Sequence, residues 1–430
     1  MAHRTDSVVA LYVHVPFCQA RCAYCDFNTY AELESLMPAY ARGLRQEVEA
    51  AAERWGRLRV STVYIGGGTP SLLPLDLVTD LIEVVRATFD LSTCAEITVE
   101  ANPGTVTGLY LSGLRSLGVN RLSLGAQSAH EEELHMLGRI HGWDDVVRAV
   151  DEARGSGFDN LNLDLLFGVP GQSLGQWGET LRQALALDPQ HLSLYGLALE
   201  EGTVLAKRVA SGELAVPDEE TAAAMYELAE EVLAQAGFFH YEISNWAMMD
   251  DALRASDHRW WPGSGACDTA SAMSELISPY VCRHNMSCWR NEPWLGVGAG
   301  AHSWMTAEVL GNTRGGSRDS AVGERWANVA HPKDYVAACS EGAYPASLRR
   351  GVERIDRELE MGDTMMLGLR LAEGVTAERF EARFRARLVD VFGEQLESLQ
   401  RLGLITWNGT AARLTGRGRL LGNRVFERFI

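Results

Sequence analysis

The chain is short of basic residues, of cysteine and of long apolar runs, and each shortage excludes a class of protein. Its 39 Lys and Arg face 57 Asp and Glu, a formal net charge of −18. Proteins that track nucleic-acid phosphates gain affinity by neutralising them with cations, so this balance argues against nucleic acid as a partner. No stretch approaches the roughly 18 apolar residues of a membrane-spanning helix. The start, MAHRTDSVVALYVHV, lacks a signal-peptide layout, because its apolar stretch runs straight into a cysteine-containing loop. Together these features predict a cytoplasmic protein. Eight cysteines in 430 residues are too few and too unevenly spaced for a disulfide scaffold.

The rest of the composition is ordinary for a globular protein, 46% hydrophobic with 42 Gly and 13 Pro, enough for one large domain and a smaller one. The cysteines are grouped. Cys18, Cys22 and Cys25 crowd the stretch FCQARCAYCDF, and Cys267, Cys282 and Cys288 form a looser set. In a reducing compartment such groups point to metal chemistry. A structural zinc or a fully Cys-ligated [4Fe–4S] cluster needs four protein ligands, yet Phe27 stands where a nearby fourth sulfur would be. Two readings stay open. Zinc could take His14 as its fourth ligand. A [4Fe–4S] cluster could be held at three irons, its fourth iron open to the amino and carboxylate groups of a small molecule.

Short β-rich runs alternate with amphipathic helical stretches through the first half. LYVHV (11–15), STVYI (61–65), EITVE (96–100), RLSLG (121–125), NLNLDLL (160–166) and HLSLYGL (191–197) read as strands. Stretches 75–89, 143–157 and 174–187 between them read as helices. Six such units predict an α/β fold with a parallel sheet, a partial (βα)6 barrel with chemistry at the C-terminal strand ends. The rim would then carry the cysteine loop, the GGGTPS run (66–71), Glu100, Gln127, Asp164 and the Leu197–Ala198 dipeptide. A helix is expected over 217–236 and an exposed hairpin tip or linker over 311–323. Three helices and a short β pair after 350 suggest a C-terminal winged-helix-like α+β domain. The expected divisions are a barrel over 1–240, a barrel extension over 241–345 with an inserted segment near 248–281, and the C-terminal domain over 346–430.

CxxxCxxC followed by GGGTP resembles the radical S-adenosylmethionine (SAM) superfamily. YVHVPFCQARCAYCDF, YIGGGTPSLL, ITVEANPGT, LSLGAQS, LGRIH, LDLLFGVPGQ, HYEISNWA, RHN and GVGAGAHSW narrow the resemblance to the branch of HemW-type heme chaperones and oxygen-independent coproporphyrinogen III oxidases. EMGDTMMLGLRL and LTGRGRLLGNRVF extend it over nearly the whole chain. The resemblance implies a radical SAM barrel in which Cys18, Cys22 and Cys25 hold a [4Fe–4S] cluster. Around SAM it implies Tyr12, Tyr24, Gly67, Gly68, Thr69, Glu100, Gln127, Arg139, Asp164 and Ala198. Glycines let a ligand approach the backbone closely, carboxylates accept from hydroxyls or amines, and an arginine can pair with a carboxylate.

Within that branch, resemblance gives the oxidases a further cysteine where this chain has Phe27, and an N-terminal extension. Phe27 and the short lead-in to the first strand favour the chaperone, which binds heme and passes it to an apo-hemoprotein such as a respiratory cytochrome. Peripheral membrane contact and a homodimer are compatible with that reading. The heme motif HNxxYW reads here His284-Asn285-Met286-Ser287-Cys288-Trp289, which makes His284 the candidate axial ligand. Cys288 replaces the motif's Tyr, and 248–281 exceeds the expected spacing. Seven of the 11 tryptophans, at 246, 260, 261, 289, 294, 304 and 326, form an aromatic-rich region that would suit a flat macrocycle. The alternative is a radical SAM enzyme of the same branch, a methyltransferase using two SAM molecules or the coproporphyrinogen oxidase itself.

Overall fold

A computed structural model describes residues 8–250, 278–311, 321–342 and 344–430. The core of the inserted segment and most of the expected hairpin tip lie outside these residues. The chain divides into two compact units. The first comprises Met1–Leu228, Pro293–Arg318 and Gly323–Arg354, and the second Ala229–Glu292, Asp319–Val322 and Ile355–Ile430.

In the first unit the six expected strands are β1 (Val8–Val15), β2 (Arg59–Gly67), β3 (Asp90–Ala101), β4 (Arg121–Gln127), β5 (Leu161–Phe167) and β6 (His191–Gly196). They pair in parallel and in sequence order. Helices α1 (Met37–Trp55), α2 (Leu75–Thr88), α3 (Gly108–Ser116), α4 (Glu131–Met136), α5 (Trp143–Gly155) and α6 (Leu174–Ala186) occupy the crossovers. β5 is covered on both faces, with Leu161, Asn162, Leu163, Leu165 and Leu166 all buried, because helices pack on one side and the barrel interior on the other. Local signals fix the helix starts. Ser173 accepts from the Gln176 backbone N–H, and the Gln176 side chain returns to Ser173, a capping box opening α6.

The sheet continues beyond β1 with strands that periodicity did not resolve. Trp294–Val297 pairs in parallel with β1, followed by antiparallel His302–Thr306, then Gly323–Asn328 and Arg349–Ile355. Glu47 of α1 ties this extension to the barrel. Its buried carboxylate accepts from Tyr335 Oη at 2.6 Å, Asn328 Nδ2 at 2.7 Å and the Gly298 N–H at 2.8 Å. Burial pushes the carboxyl up to about 7.

The second unit has the expected winged-helix-like plan. Helices Arg357–Gly368, Ala377–Phe384 and Leu388–Arg401 pack on Met365, Leu369, Phe380, Leu396 and Val425. Ala411–Leu414 is the middle strand of a small antiparallel sheet, between Val375–Thr376 and Ile405–Trp407. Asn408-Gly409 makes the wing's turn, with Gly409 at φ +86° and Asn408 Oδ1 accepting from the Thr410 and Ala411 N–H groups. Among the described residues no helix is long and apolar enough to cross a membrane.

Candidate functional site

β1 delivers the cysteine loop onto the C-terminal rim, where neighbouring elements clamp it. Cys18 N donates to Tyr30 O at 2.9 Å, Ala23 N to Leu137 O at 2.9 Å, and Leu205 N to Ala23 O at 2.8 Å. Asn28 Nδ2 donates to the carbonyls of Ala299 (3.0 Å), in the GVGAGAH stretch, and of Ala330 (2.9 Å), which together hold the loop's outer side. All three thiols are free and half-buried.

His14 lies beneath them. Its Nε2 hydrogen must point at the Asn28 carbonyl 2.9 Å away, so Nδ1 accepts from Tyr12 Oη at 2.9 Å. Burial lowers the imidazole's pKa and keeps it neutral. Both nitrogens are engaged, so a zinc site using His14 would first have to displace the Tyr12 hydroxyl from Nδ1. Among the described residues no three His, Cys, Asp or Glu side chains are set to hold a single metal ion. A mononuclear zinc draws its sulfurs to within about 4 Å of one another, whereas a cluster holds each thiolate on a separate iron.

The glycine run after β2 lies against this loop. A Cβ on Gly67, whose φ is +119°, would fall 2.6 Å from the His14 ring, and one on Gly66 would fall 2.9 Å from the Glu100 carboxylate. These positions need glycine for close approach. Glu100 accepts from Tyr64 Oη at 2.7 Å and from the Gly67 N–H at 3.0 Å. Burial first, then the Asp164 charge, lift its carboxyl to about 7. Asp164 accepts from Ser123 Oγ at 3.0 Å and Asn162 Nδ2 at 2.9 Å, and burial raises its pKa also. Gln127 ends β4 in a left-handed conformation, φ +68°, after a register shift against β5. Strain at a non-glycine strand end is a feature of functional sites. Tyr24 packs against Leu137, Leu166 and Val169. Ala198 is exposed, two residues beyond β6.

Arg139 is turned toward the cysteines. Nη1 donates to Cys22 Sγ at 3.4 Å, and Nη2 donates to Asn102 Oδ1 at 2.6 Å and Gly125 O at 2.8 Å. Its buried Nε has no partner. Thr69 Oγ1 donates to Cys18 Sγ at 3.7 Å and accepts from Asn102 Nδ2 at 3.1 Å. Cys25 Sγ lies 3.8 Å from Thr29 Oγ1. Each sulfur therefore has a hydrogen-bonding group of its own. Asn102, Tyr64, Ser123 and Asn162 were not singled out from the sequence. The one signal available was the position of Asn102 just past a strand end in EANPG, on the rim that carries Glu100.

In the second unit, Arg283–Trp289 forms one helix, placing His284 and Cys288 four residues apart on one face. His284 is 6% exposed. Burial, with a contribution from Glu292, pushes the Cys288 thiol up to about 12. A cavity of about 410 Å³ is lined by Trp289, Thr364, Arg379, Phe380 and Arg383 among others, but not by His284 or Cys288. The aromatic-rich region is not one surface. Trp304 and Trp326 are buried inside the first unit, Trp246 is buried in the second, and Trp260 and Trp261 lie outside the described residues.

A six-stranded parallel partial barrel with a three-cysteine loop after its first strand and a glycine run after its second defines the radical SAM class. The profile of the Radical SAM superfamily matches residues 12–184, and that of the HemN C-terminal domain matches residues 355–421. The heme chaperone HemW of Mycobacterium tuberculosis is 36% identical over 418 residues, covering 96% of this chain and 93% of its own. HemW of Escherichia coli K12 is 34% identical, with 98% of each chain covered. Bacillus subtilis HemW is 33% identical, covering 97% of this chain and 98% of its own. The chain belongs to the HemW family. Among solved structures, the E. coli coproporphyrinogen III oxidase HemN, a radical SAM enzyme, superposes with a TM-score of 0.77. That match covers 100% of this chain and 91% of HemN at 23% identity, and is a likeness of fold.

Proposed function

We propose that this protein is a heme chaperone built on a radical SAM barrel, which holds a [4Fe–4S] cluster, binds SAM, and delivers heme to an apo-hemoprotein such as a respiratory cytochrome. The observation that carries the cluster reading is the set of three half-buried thiols, each with a hydrogen-bonding group at its sulfur. Arg139 and the threonine hydroxyls favour thiolates and suit anionic ligands of iron. When bound, the cluster supplies one-electron chemistry and an open iron for the amino and carboxylate groups of SAM.

The chain's own residues then divide the work. The glycine backbone at 66–68 lets His14, Glu100 and the cysteine loop close together, shaping the wall beside which SAM would lie. Glu100 and Asp164 offer carboxylates to ribose hydroxyls or a cationic group, and Tyr12, Tyr24, Thr69, Gln127, Arg139 and Ala198 complete the SAM surroundings. Phe27, 63% exposed, supplies no sulfur at the position where the related oxidases carry one. That absence, with family membership, supports delivery over oxidation. For heme, His284 is the proposed axial ligand. The cavity beside Trp289, which His284 does not line, joins apolar walls to arginine side chains and is the alternative place for a macrocycle with carboxylates.

The test is anaerobic reconstitution with iron and sulfide, followed by titration with heme and with SAM in one sample. Wild type should show iron–sulfur absorbance that the Cys18→Ser/Cys22→Ser/Cys25→Ser variant lacks while keeping its far-UV spectrum, and should bind both ligands. Stoichiometric zinc without a cluster would overturn the cluster reading. SAM binding without heme binding would favour the enzyme alternative.

A further inference from the structure

Asn102 has been given no role in binding, yet it joins the two ligand-bearing sides of the rim. Its backbone is pinned just past β3. The N–H donates to Ser71 Oγ at 3.4 Å, and the carbonyl accepts from Thr105 Oγ1 at 2.8 Å. The side chain is thus fixed with its two ends facing different partners. Nδ2 donates to Thr69 Oγ1 at 3.1 Å, which leaves the Thr69 hydroxyl hydrogen for Cys18 Sγ at 3.7 Å. Oδ1 accepts from Arg139 Nη2 at 2.6 Å, which aims Nη1 at Cys22 Sγ at 3.4 Å. The result is a continuous chain from Cys18 through Thr69, Asn102 and Arg139 to Cys22.

The residue type matters. An amide of this length presents a donor and an acceptor at once. An aspartate would offer Thr69 a second acceptor and could not orient its hydroxyl, and alanine would release both neighbours. The surroundings are shaped for the contact. A Cβ on Gly125 would lie 3.2 Å from Arg139 Nη2 and 3.3 Å from Asn102 Oδ1, so the glycine keeps the joint open.

We propose that Asn102 is a positioning residue that sets the reduction potential of the cluster, by aligning an O–H donor on the Cys18 sulfur and an N–H donor on the Cys22 sulfur. The inference rests on the cluster reading above. Reduction adds negative charge that spreads onto the sulfurs, and donors at those atoms stabilise it. Loosening both donors at once makes the cluster harder to reduce.

The experiment is a redox titration, followed by electron paramagnetic resonance, of reconstituted wild type, Asn102→Ala, Asn102→Ser, Thr69→Val and Thr69→Ser, each with iron and sulfide measured. Thr69→Ser keeps the hydroxyl and should titrate with wild type. Asn102→Ala and Thr69→Val should carry a full cluster at a more negative potential. Their double variant should shift by less than the sum, because both act in one chain of hydrogen bonds. If Asn102→Ala takes up no iron, Asn102→Ser decides, since its hydroxyl is too short to reach both partners. Wild-type potential in fully loaded Asn102 variants overturns the inference alone. A wild-type protein that accepts no cluster overturns the cluster reading, and this inference with it.

Discussion

Gly68 leaves open the space that Cys18 occupies: a Cβ there would lie 3.0 Å from Cys18 Sγ and 2.6 Å from the Phe17 carbonyl oxygen. The glycine run and the cysteine loop are therefore two halves of one packed unit. Gly68→Ala must push the loop outward, a strain of roughly 1–3 kcal/mol by the usual cost of overpacking. The expected outcome is a lower melting temperature for the apo-protein and reduced iron uptake on reconstitution. Gly155→Ala, at the end of α5 where an added Cβ meets nothing within 4 Å, is the control and should leave iron uptake unchanged. Equal iron content in Gly68→Ala and wild type would show that the loop adjusts freely.

The barrel was legible because its strands are short apolar runs at regular spacing, with capping signals such as Ser173 and Gln176 marking helix starts. Its rim was legible because strand ends in such a barrel carry the chemistry. The sheet extension was not. Trp294–Val297 and His302–Thr306 are four and five residues long, and sheet order is set by long-range pairing that local pattern does not encode. The direction of Arg139 was also hidden. Its facing Cys22 depends on Asn102 and Gly125, residues 37 and 14 positions away.

Glu47 makes a prediction about pH. Its carboxyl rises from 4.5 to about 7 on folding because it is buried. A carboxyl raised in the folded state holds a proton there that the unfolded chain has released. Stability from this group is full below about 4.5 and is lost as pH climbs through 7. At 1.36 kcal/mol per pKa unit, the whole loss is on the order of 3 kcal/mol. Thermal melts of wild type should show a falling midpoint from pH 5 to 8, and Glu47→Gln should flatten that slope. An unchanged slope in the variant would assign the pH dependence to other groups, Glu100 being the next candidate.

Glu100 predicts a pH dependence of opposite sense for ligand binding. Burial and Asp164 lift its carboxyl to about 7, so it is mostly protonated at pH 6 and mostly ionised at pH 8. SAM carries cationic groups, and the proposed role of Glu100 requires the ionised form. Affinity for SAM, measured by calorimetry on the reconstituted protein, should rise as pH goes from 6 to 8. Glu100→Gln should bind about tenfold more weakly at pH 8, near 1.4 kcal/mol, with little dependence on pH. An unchanged pH profile in Glu100→Gln would remove Glu100 from the SAM contacts and leave it a purely internal partner of Tyr64 and the Gly67 N–H.

On the proposed heme-binding role, His284 and Cys288, four residues apart on one face of the helix Arg283–Trp289, are the two candidate ligands. Protonation separates them. Burial pushes the Cys288 thiol up to about 12, so near neutral pH it is a thiol, and the thiolate is the form that ligates iron. Imidazole ligates in its neutral form. The expected result is a histidine-type Soret band in wild type and in Cys288→Ala. In His284→Ala, heme affinity should fall at least about tenfold, near 1.4 kcal/mol, with a changed spectrum. Thiolate ligation would instead shift the ferrous–CO band, because the sulfur pushes electron density onto the iron. A thiolate-type band in wild type that disappears in Cys288→Ala would make the Tyr-to-Cys change in the motif the ligand itself. Unchanged affinity and spectrum in His284→Ala would place the heme elsewhere, and the arginine-lined cavity beside Trp289 becomes the next site to test, with Arg379→Ala and Arg383→Ala.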